Sequence, residues 1–417
     1  MRLLVYPHAM EIGGSQLNAV QLAGVMAARG HRVLVVSEPG PLVDRVRELG
    51  LEHVEIPLDR RRPSPEVLRT LARLVRERRI DLVHGYEWPP VVEALFGPGL
   101  LGAVPVLGTV MSMSVVPFFP RTVPLIVGTE RIREAAVAAG HRRVTLLEPW
   151  VDTESDSPVV DGRGFRAAHG IAPDEIVIAM VCRLVPELKR EGLLAACDAV
   201  GELAASGRRV RLAIVGDGRC RAEIAERAAK ANAQAGREAV LLTGEIADPR
   251  PAYAAADILV GMGGSALRGM AFGAPLVVVG EDGFSETLTR ESTPLFLRQG
   301  WYGLGPGTLG SGAPALRRAL ERLADSPGLR RELGGYARKL VTDRFSLARA
   351  ADVQEHEYLR ALSDRVGEAA LLADIARSGA GIVGSTLARK YRRWRGGAVA
   401  TDDANARPLA GPARREG

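Results

Sequence analysis

Short, mostly apolar runs at 3–6, 33–36, 54–57, 81–84, 104–108 and 125–128 alternate with segments of helical periodicity at 16–29, 41–49 and 65–78. Gly30 and Gly50 stand where the first two of these helices should stop. Apolar strands without a polar face, separated by helices, predict a parallel sheet covered on both sides. Between 156 and 170 the periodicity fades into a polar stretch bearing Pro158 and several glycines, which reads as a linker. The alternation then restarts, with strands at 176–181, 210–215, 239–243, 257–260 and 275–279 and helices at 190–204, 219–235 and 265–272. Further helical patterns at 314–325 and 328–345 close the second half. The chain is expected to be α/β, with two doubly wound Rossmann-like domains whose ligands bind beyond the carboxyl ends of the strands. The expected boundaries are 1–155 for the first domain, 156–170 for the linker, 171–345 for the second domain, 346–380 for closing helices and 381–417 for a basic tail.

Composition narrows the class. With 47% hydrophobic and 25% charged residues in 417, the chain is that of a folded globular protein. Its formal charge of +6 invites a nucleic-acid partner, but residues 381–417 hold eight basic and three acidic side chains, so the body is close to neutral. No nucleic-acid partner is expected, and the tail reads as a solubilising segment rather than a membrane contact. The segment 94–120 has no charged residue, yet Pro98, Pro105, Pro117 and Pro120 would break a spanning helix. The opening apolar run is too short for a secretory segment, and three cysteines without metal-ligand spacing suit a reducing cytoplasm.

The second half holds the more informative chemistry. Arg183 and Lys189 follow directly on the strand at 176–181 and bring two fixed cations to its carboxyl end. Lys189 is conspicuous because the chain has only four lysines against 51 arginines. Gly244 and Glu245 end one strand, and the run Gly261-Met262-Gly263-Gly264-Ser265-Ala266 ends the next and opens a helix. Backbone N–H groups at a Gly-rich helix start bind phosphate oxygens, aided by the macrodipole, and the two cations would neutralise a diphosphate. Gly261, Gly263 and Ala266 also fit a dinucleotide fingerprint with Glu281 downstream. That fingerprint belongs on the first strand of its domain, and here three strands precede it.

Together these residues resemble a retaining glycosyltransferase of the GT-B fold, family 4, over roughly residues 1–360. Gly13-Gly14-Ser15 is similar to that family's amino-terminal Gly-rich loop, Ile80-Asp81-Leu82-Val83-His84 to its DVVH strand and Glu148-Pro149-Trp150-Val151-Asp152 to its PNGVD segment. Arg183 and Lys189 match the pair that grips the donor diphosphate. Gly216-Asp217-Gly218 with Arg221, the run from Tyr253 to Ile258, the run from Gly269 to Val277, and Gly283-Phe284-Ser285-Glu286 match further signatures in order. The resemblance implies two domains facing across a cleft, with Arg183 and Lys189 as catalytic cations. It implies donor contacts from Gly14, Ser15, Gly244, Glu245, Gly261, Gly263, Gly264, Ser265, Ala266 and Glu286.

Two departures matter. The family's Glu-x7-Glu pair falls on Val260 and Arg268, and Met111 stands where a His is common. Ribose and sugar recognition are therefore expected to differ from the family pattern. His84, Glu87 and Met111, after first-half strands, are the acceptor-side candidates. No metal or other cofactor is implied: the partners are a UDP- or GDP-linked sugar as co-substrate and a small-molecule or envelope-type acceptor, with specialised-metabolite biosynthesis as one setting. A nucleotide-sugar epimerase and a non-catalytic nucleotide-sugar-binding protein are the alternatives on the same scaffold.

Overall fold

The computed structural model describes residues 1–394 apart from 12, 59, 101–103, 113 and 365. The chain forms two compact units: unit 1, Met1–Pro149 with the chain from Ala348 onward, and unit 2, Trp150–Leu347.

Unit 1 is built on seven parallel strands: β1 (Arg2–Tyr6), β2 (Arg32–Ser37), β3 (Glu52–Glu55), β4 (Leu82–Tyr86), β5 (Val106–Val110), β6 (Leu125–Val127) and β7 (Val144–Leu146). Their order is β3-β2-β1-β4-β5-β6-β7, so the sheet grows outward in both directions from β1 and β4. Unit 2 repeats the plan with β8 (Ile176–Val181), β9 (Val210–Val215), β10 (Val240–Gly244), β11 (Ile258–Gly261), β12 (Leu276–Val279) and β13 (Ser285–Thr287), ordered β10-β9-β8-β11-β12-β13. Only β13 runs antiparallel.

Strand residues alternate between two cores, as the two-residue side-chain period requires. Ile178 and Met180 of β8 pack with Leu193, Ala196 and Val200 of the helix Pro186–Ala205. Ala179, between them, packs with Leu267 and Met270 of the helix Gly263–Met270 and with Val341. The helices after β8 and β11 thus cover opposite faces of the sheet.

Several elements differ from the sequence reading. β3 lies at Glu52–Glu55, earlier than 54–57, because His53 and Val54 pair with Val35 and Val36. β7 and β13 are three-residue edge strands, too short to show a period. The stretch 156–170 is folded onto unit 2: Asp156 and Ser157 are buried, and the short helix Arg163–Ala168 buries Phe165. The division between units falls at Pro149–Trp150 instead of after 155. The chain enters and leaves unit 2 side by side, Val151 N–H donating to Phe345 O and Leu347 N–H to Val151 O, each at 2.8 Å. The closing helices beyond 346 are Leu347–Ser363 and Glu368–Trp394. Helix thus continues into the expected tail as far as Trp394, and 395–417 lie outside the described residues.

Gly216, just past β9, has φ of +141°, and a Cβ there would stand 2.0 Å from the Cys182 carbonyl oxygen. Gly216→Ala should therefore lower stability by about 2–4 kcal/mol. Chemical denaturation of the full chain reads this, and an unchanged midpoint would contradict so close a backbone approach.

Candidate active site

Unit 2 reverses direction between β8 and β11, and open α/β sheets hold ligands beyond the carboxyl ends of the strands at such a point. A small cavity sits there, lined by Cys182 and Lys189 after β8, by Val260, Gly261, Met262 and Ser265 around the end of β11, and by Met180, Val181 and Val279. Lys189 enters it through a break in its helix: Glu187 has ψ of 121° and Leu188 φ of +64°, so regular helix begins at Lys189. A positive φ at a leucine is strained, and burial of Leu188 against the unit 2 core helps hold it. Burial pushes the Lys189 ammonium below its usual range, with Arg183 adding repulsion, while burial pushes the neighbouring Cys182 thiol up.

Other cations at this edge are already paired. Arg219 donates to both oxygens of Glu187 at 2.8 Å, and Arg221 to Asp217 at 3.1 Å. Neither Arg183, which is exposed, nor Lys189 makes an ion pair among the described residues. The helix Gly263–Met270 begins at the same cavity. Its first-turn amides are not equivalent. Gly263 N–H donates to Trp301 O at 2.7 Å, so this expected phosphate contact is spent inside the protein. The amides of Gly264 and Ser265 lie in the first turn, where no intrahelical carbonyl is in reach. Ser265 Oγ donates to Met262 O at 2.9 Å, and Ala266 is buried.

The remaining unit 2 candidates are dispersed. Gly244 closes β10 with φ of +78°, and Glu245 beyond it is exposed. Glu286 accepts from Thr308 N–H at 2.7 Å and Thr308 Oγ1 at 2.9 Å, so it holds the following loop. Val260 is buried and presents no polar atom. Arg268 donates twice to Asp156, at 2.8 and 2.9 Å, and lies over the Tyr253 ring. Burial pushes the Asp156 carboxyl up and Arg268 opposes it. Sequence reasoning missed this pair, because Asp156 sits in a segment without periodicity.

In unit 1, Gly14 and Ser15 open the helix Gly14–Ala28 after β1, and Ser15 Oγ is buried with no hydrogen-bond partner among the described residues. Glu87, at φ of +66°, accepts from Met111 N–H at 2.9 Å and from Ser112 N–H and Oγ at 3.1 and 2.7 Å. It ties the loop after β5 to the end of β4, so Glu87 and Met111 do come together. His84 departs from its expected place. It is wholly buried, with Nδ1 2.9 Å from Tyr358 Oη and Nε2 2.7 Å from Thr109 Oγ1, and burial lowers its pKa to about 3. Its contacts anchor the helix Leu347–Ser363 and leave no ring nitrogen for a ligand. A buried network also went unread: Arg60 donates to Tyr6 Oη at 2.6 Å and to Glu38 at 2.8 Å, and Tyr6 Oη donates to Glu93 at 2.5 Å. Among the described residues no cluster of three His, Cys, Asp or Glu side chains is arranged to hold a metal ion.

The chain matches two family models, Glycosyltransferase Family 4 over residues 12–155 and Glycosyl transferases group 1 over residues 175–301. No curated protein matches it in sequence. Among solved structures it is similar to a glycosyltransferase from Rickettsia africae, with a TM-score of 0.72 at 16% identity, covering 87% of this chain and 99% of that one. It is also similar to Anabaena HepE in complex with UDP, with a TM-score of 0.66 at 17% identity, covering 86% of this chain and all of that one. The HepE complex with UDP-glucose aligns with a TM-score of 0.64 at 17% identity, covering 86% and 99%.

The buried histidines of unit 1 make an acid-side prediction. His84 is lowered to about 3, and His8 and His141 to about 4, from 6.5, chiefly by desolvation. The unfolded chain then binds protons that the folded one refuses, so stability falls as pH drops from about 6.5 towards 3. His84→Asn should be less stable at neutral pH yet lose less on acidification, as read by denaturation midpoints across that window. An unchanged acid slope would contradict the buried neutral ring.

Proposed function

The chain is a glycosyltransferase of the family-4 type with the GT-B fold, and from that premise we propose that it moves a sugar from UDP to an acceptor with retention of configuration. UDP is preferred to GDP because the HepE structures of similar fold hold UDP and UDP-glucose. The observation that carries the reading is the meeting of Lys189 with the start of the helix Gly263–Met270 at the carboxyl ends of adjacent β8 and β11, with Arg183 near enough to repel the Lys189 ammonium.

In this reading unit 2 takes the nucleotide sugar. The bond between the anomeric carbon and the diphosphate oxygen breaks, and the bond from the acceptor atom to that carbon forms on the same face. The acceptor proton passes to the departing diphosphate. Arg183, Lys189 and the amides of Gly264 and Ser265 stabilise the charge that develops there. The cations fill the neutralising role a divalent ion would have, so no metal takes part. With Val260 in place of a carboxylate, no side-chain nucleophile is invoked. Unit 1 takes the acceptor, a small molecule or envelope-type component, with the loop ordered by Glu87 among its polar contacts, while the Ser15 hydroxyl is kept for the donor. The three free thiols suit a reducing cytoplasm.

A thermal-shift panel of UDP, GDP, TDP and ADP tests the donor. UDP at a hundred times its Kd should stabilise the protein by about 2.7 kcal/mol, and stabilisation by another nucleotide alone would replace it. Lys189→Ala and Arg183→Ala should each cut turnover at least about tenfold, and near-wild-type rates in both would remove the diphosphate assignment. UDP affinity should weaken as pH rises through the lowered Lys189 pKa, because the ammonium then loses its charge. Lys189→Arg should abolish that loss, since guanidinium stays protonated. Donor conversion without any acceptor would point to epimerisation.

A further inference from the structure

The helix Glu368–Trp394 is held to unit 1 by only part of its length. Asp374 accepts from Thr122 N–H and Oγ1 at 2.7 and 2.8 Å, and Arg377 donates to Phe119 O at 2.5 Å. Leu371 and Ile375 pack on the unit 1 core, and a Cβ on Gly381 would stand 2.5 Å from the Phe118 side chain. Past Gly381 the helix becomes more exposed. A Cβ on Gly384 would meet nothing within 4 Å, and the Ser385 and Thr386 hydroxyls turn back to Ile382 O.

This projecting part is amphipathic. Val383, Leu387 and Tyr391 are 59%, 60% and 51% exposed and fall four residues apart, on one helix face, with Leu372 (56%) extending the stripe. Arg389 and Lys390 are exposed beside it. Between Asp374 and Asp402 the sequence has six basic residues and no acidic one. We propose that this helix lays its Val383–Leu387–Tyr391 face on an anionic lipid surface, with Arg389 and Lys390 at the headgroup phosphates. Apolar side chains on one face and basic ones beside them, with aromatics at the boundary, are what interfacial adsorption needs. A nucleic acid would use the charge but not the apolar stripe, and a second copy would bring like charge against like. No described helix is long and apolar enough to cross a membrane, so the contact is with the surface.

Flotation of the full chain with vesicles tests this. Vesicles of phosphatidylcholine with about one-third phosphatidylglycerol should carry at least about tenfold more protein than phosphatidylcholine alone, with the difference shrinking in high salt. Val383→Glu/Leu387→Glu should lose the binding, and Arg389→Ala/Lys390→Ala should weaken it. Both should keep the wild-type melting temperature and its response to UDP, because these side chains are exposed. The proposal fails if wild type does not float, if neutral vesicles carry as much, or if the double glutamate variant floats like wild type. A vesicle-free dimer abolished by the glutamate pair, or polyanion binding that needs Arg389 and Lys390 but not the apolar pair, would assign the face to another occupant and overturn it.

Discussion

The chemistry of unit 2 depends on one constraint of chain topology. β8 and β11 are neighbouring parallel strands, but the chain leaves β8 towards β9 and leaves β11 towards β12, in opposite directions along the sheet. Right-handed crossovers then place the two following helices on opposite faces, which the division of strand residues between two cores reflects. The loops must diverge at the strand ends, and the crevice between them is where Lys189 and the start of the helix Gly263–Met270 meet. Neither feature needs the other in order to fold. The sheet order alone brings them together.

Charge is then distributed so that this crevice keeps cations in hand. Several arginines of unit 2 are matched: Arg219 to Glu187, Arg221 to Asp217, Arg268 to Asp156. In the last pair the Asp156 carboxylate is buried while Arg268 is partly exposed, so losing Arg268 is the costly change, because it leaves Asp156 desolvated without its partner. Lys189 differs from these. It is desolvated without a carboxylate partner, and the strained turn at Leu188 directs it into the cavity. A cation left in that state is stabilised by the arrival of an anion, which gives the proposed diphosphate site its driving force.

The sequence made the scaffold legible because buried parallel strands are short apolar runs that glycines and helices punctuate. Apart from β3, which starts two residues earlier, each strand the apolar pattern predicts overlaps its expected place, while the three-residue edge strands β7 and β13 carry too few positions to show one. Arg183 and Lys189 were legible from their place after β8. What pattern cannot show is how polar atoms are spent. Gly263 fits a phosphate-binding run, yet its amide is taken by Trp301, far along the chain. His84 reads from the sequence as a strand end, where ligands bind, yet β4 runs on to Tyr86 and the returning helix covers the ring with Tyr358. Asp156 looks like linker until Arg268 is seen to hold it. In each case the deciding partner is distant in sequence, and no local period encodes it.

These same pairings bear on the missing carboxylates. Arg268 cannot simply be regarded as a glutamate exchanged for a cation, because its guanidinium is bound to a buried carboxylate on the segment entering unit 2. Restoring a glutamate there would set two carboxylates against each other and leave Asp156 without its partner. Arg268 is therefore coupled to the packing of the entering segment, whereas Val260 lines the cavity at the end of β11. In the proposed reaction, phosphate handling rests on backbone amides with Lys189 and Arg183 and uses neither position. Under that proposal, recognition of ribose and sugar can diverge from the family pattern while the groups assigned to the leaving diphosphate stay in place, because different residues carry the two tasks.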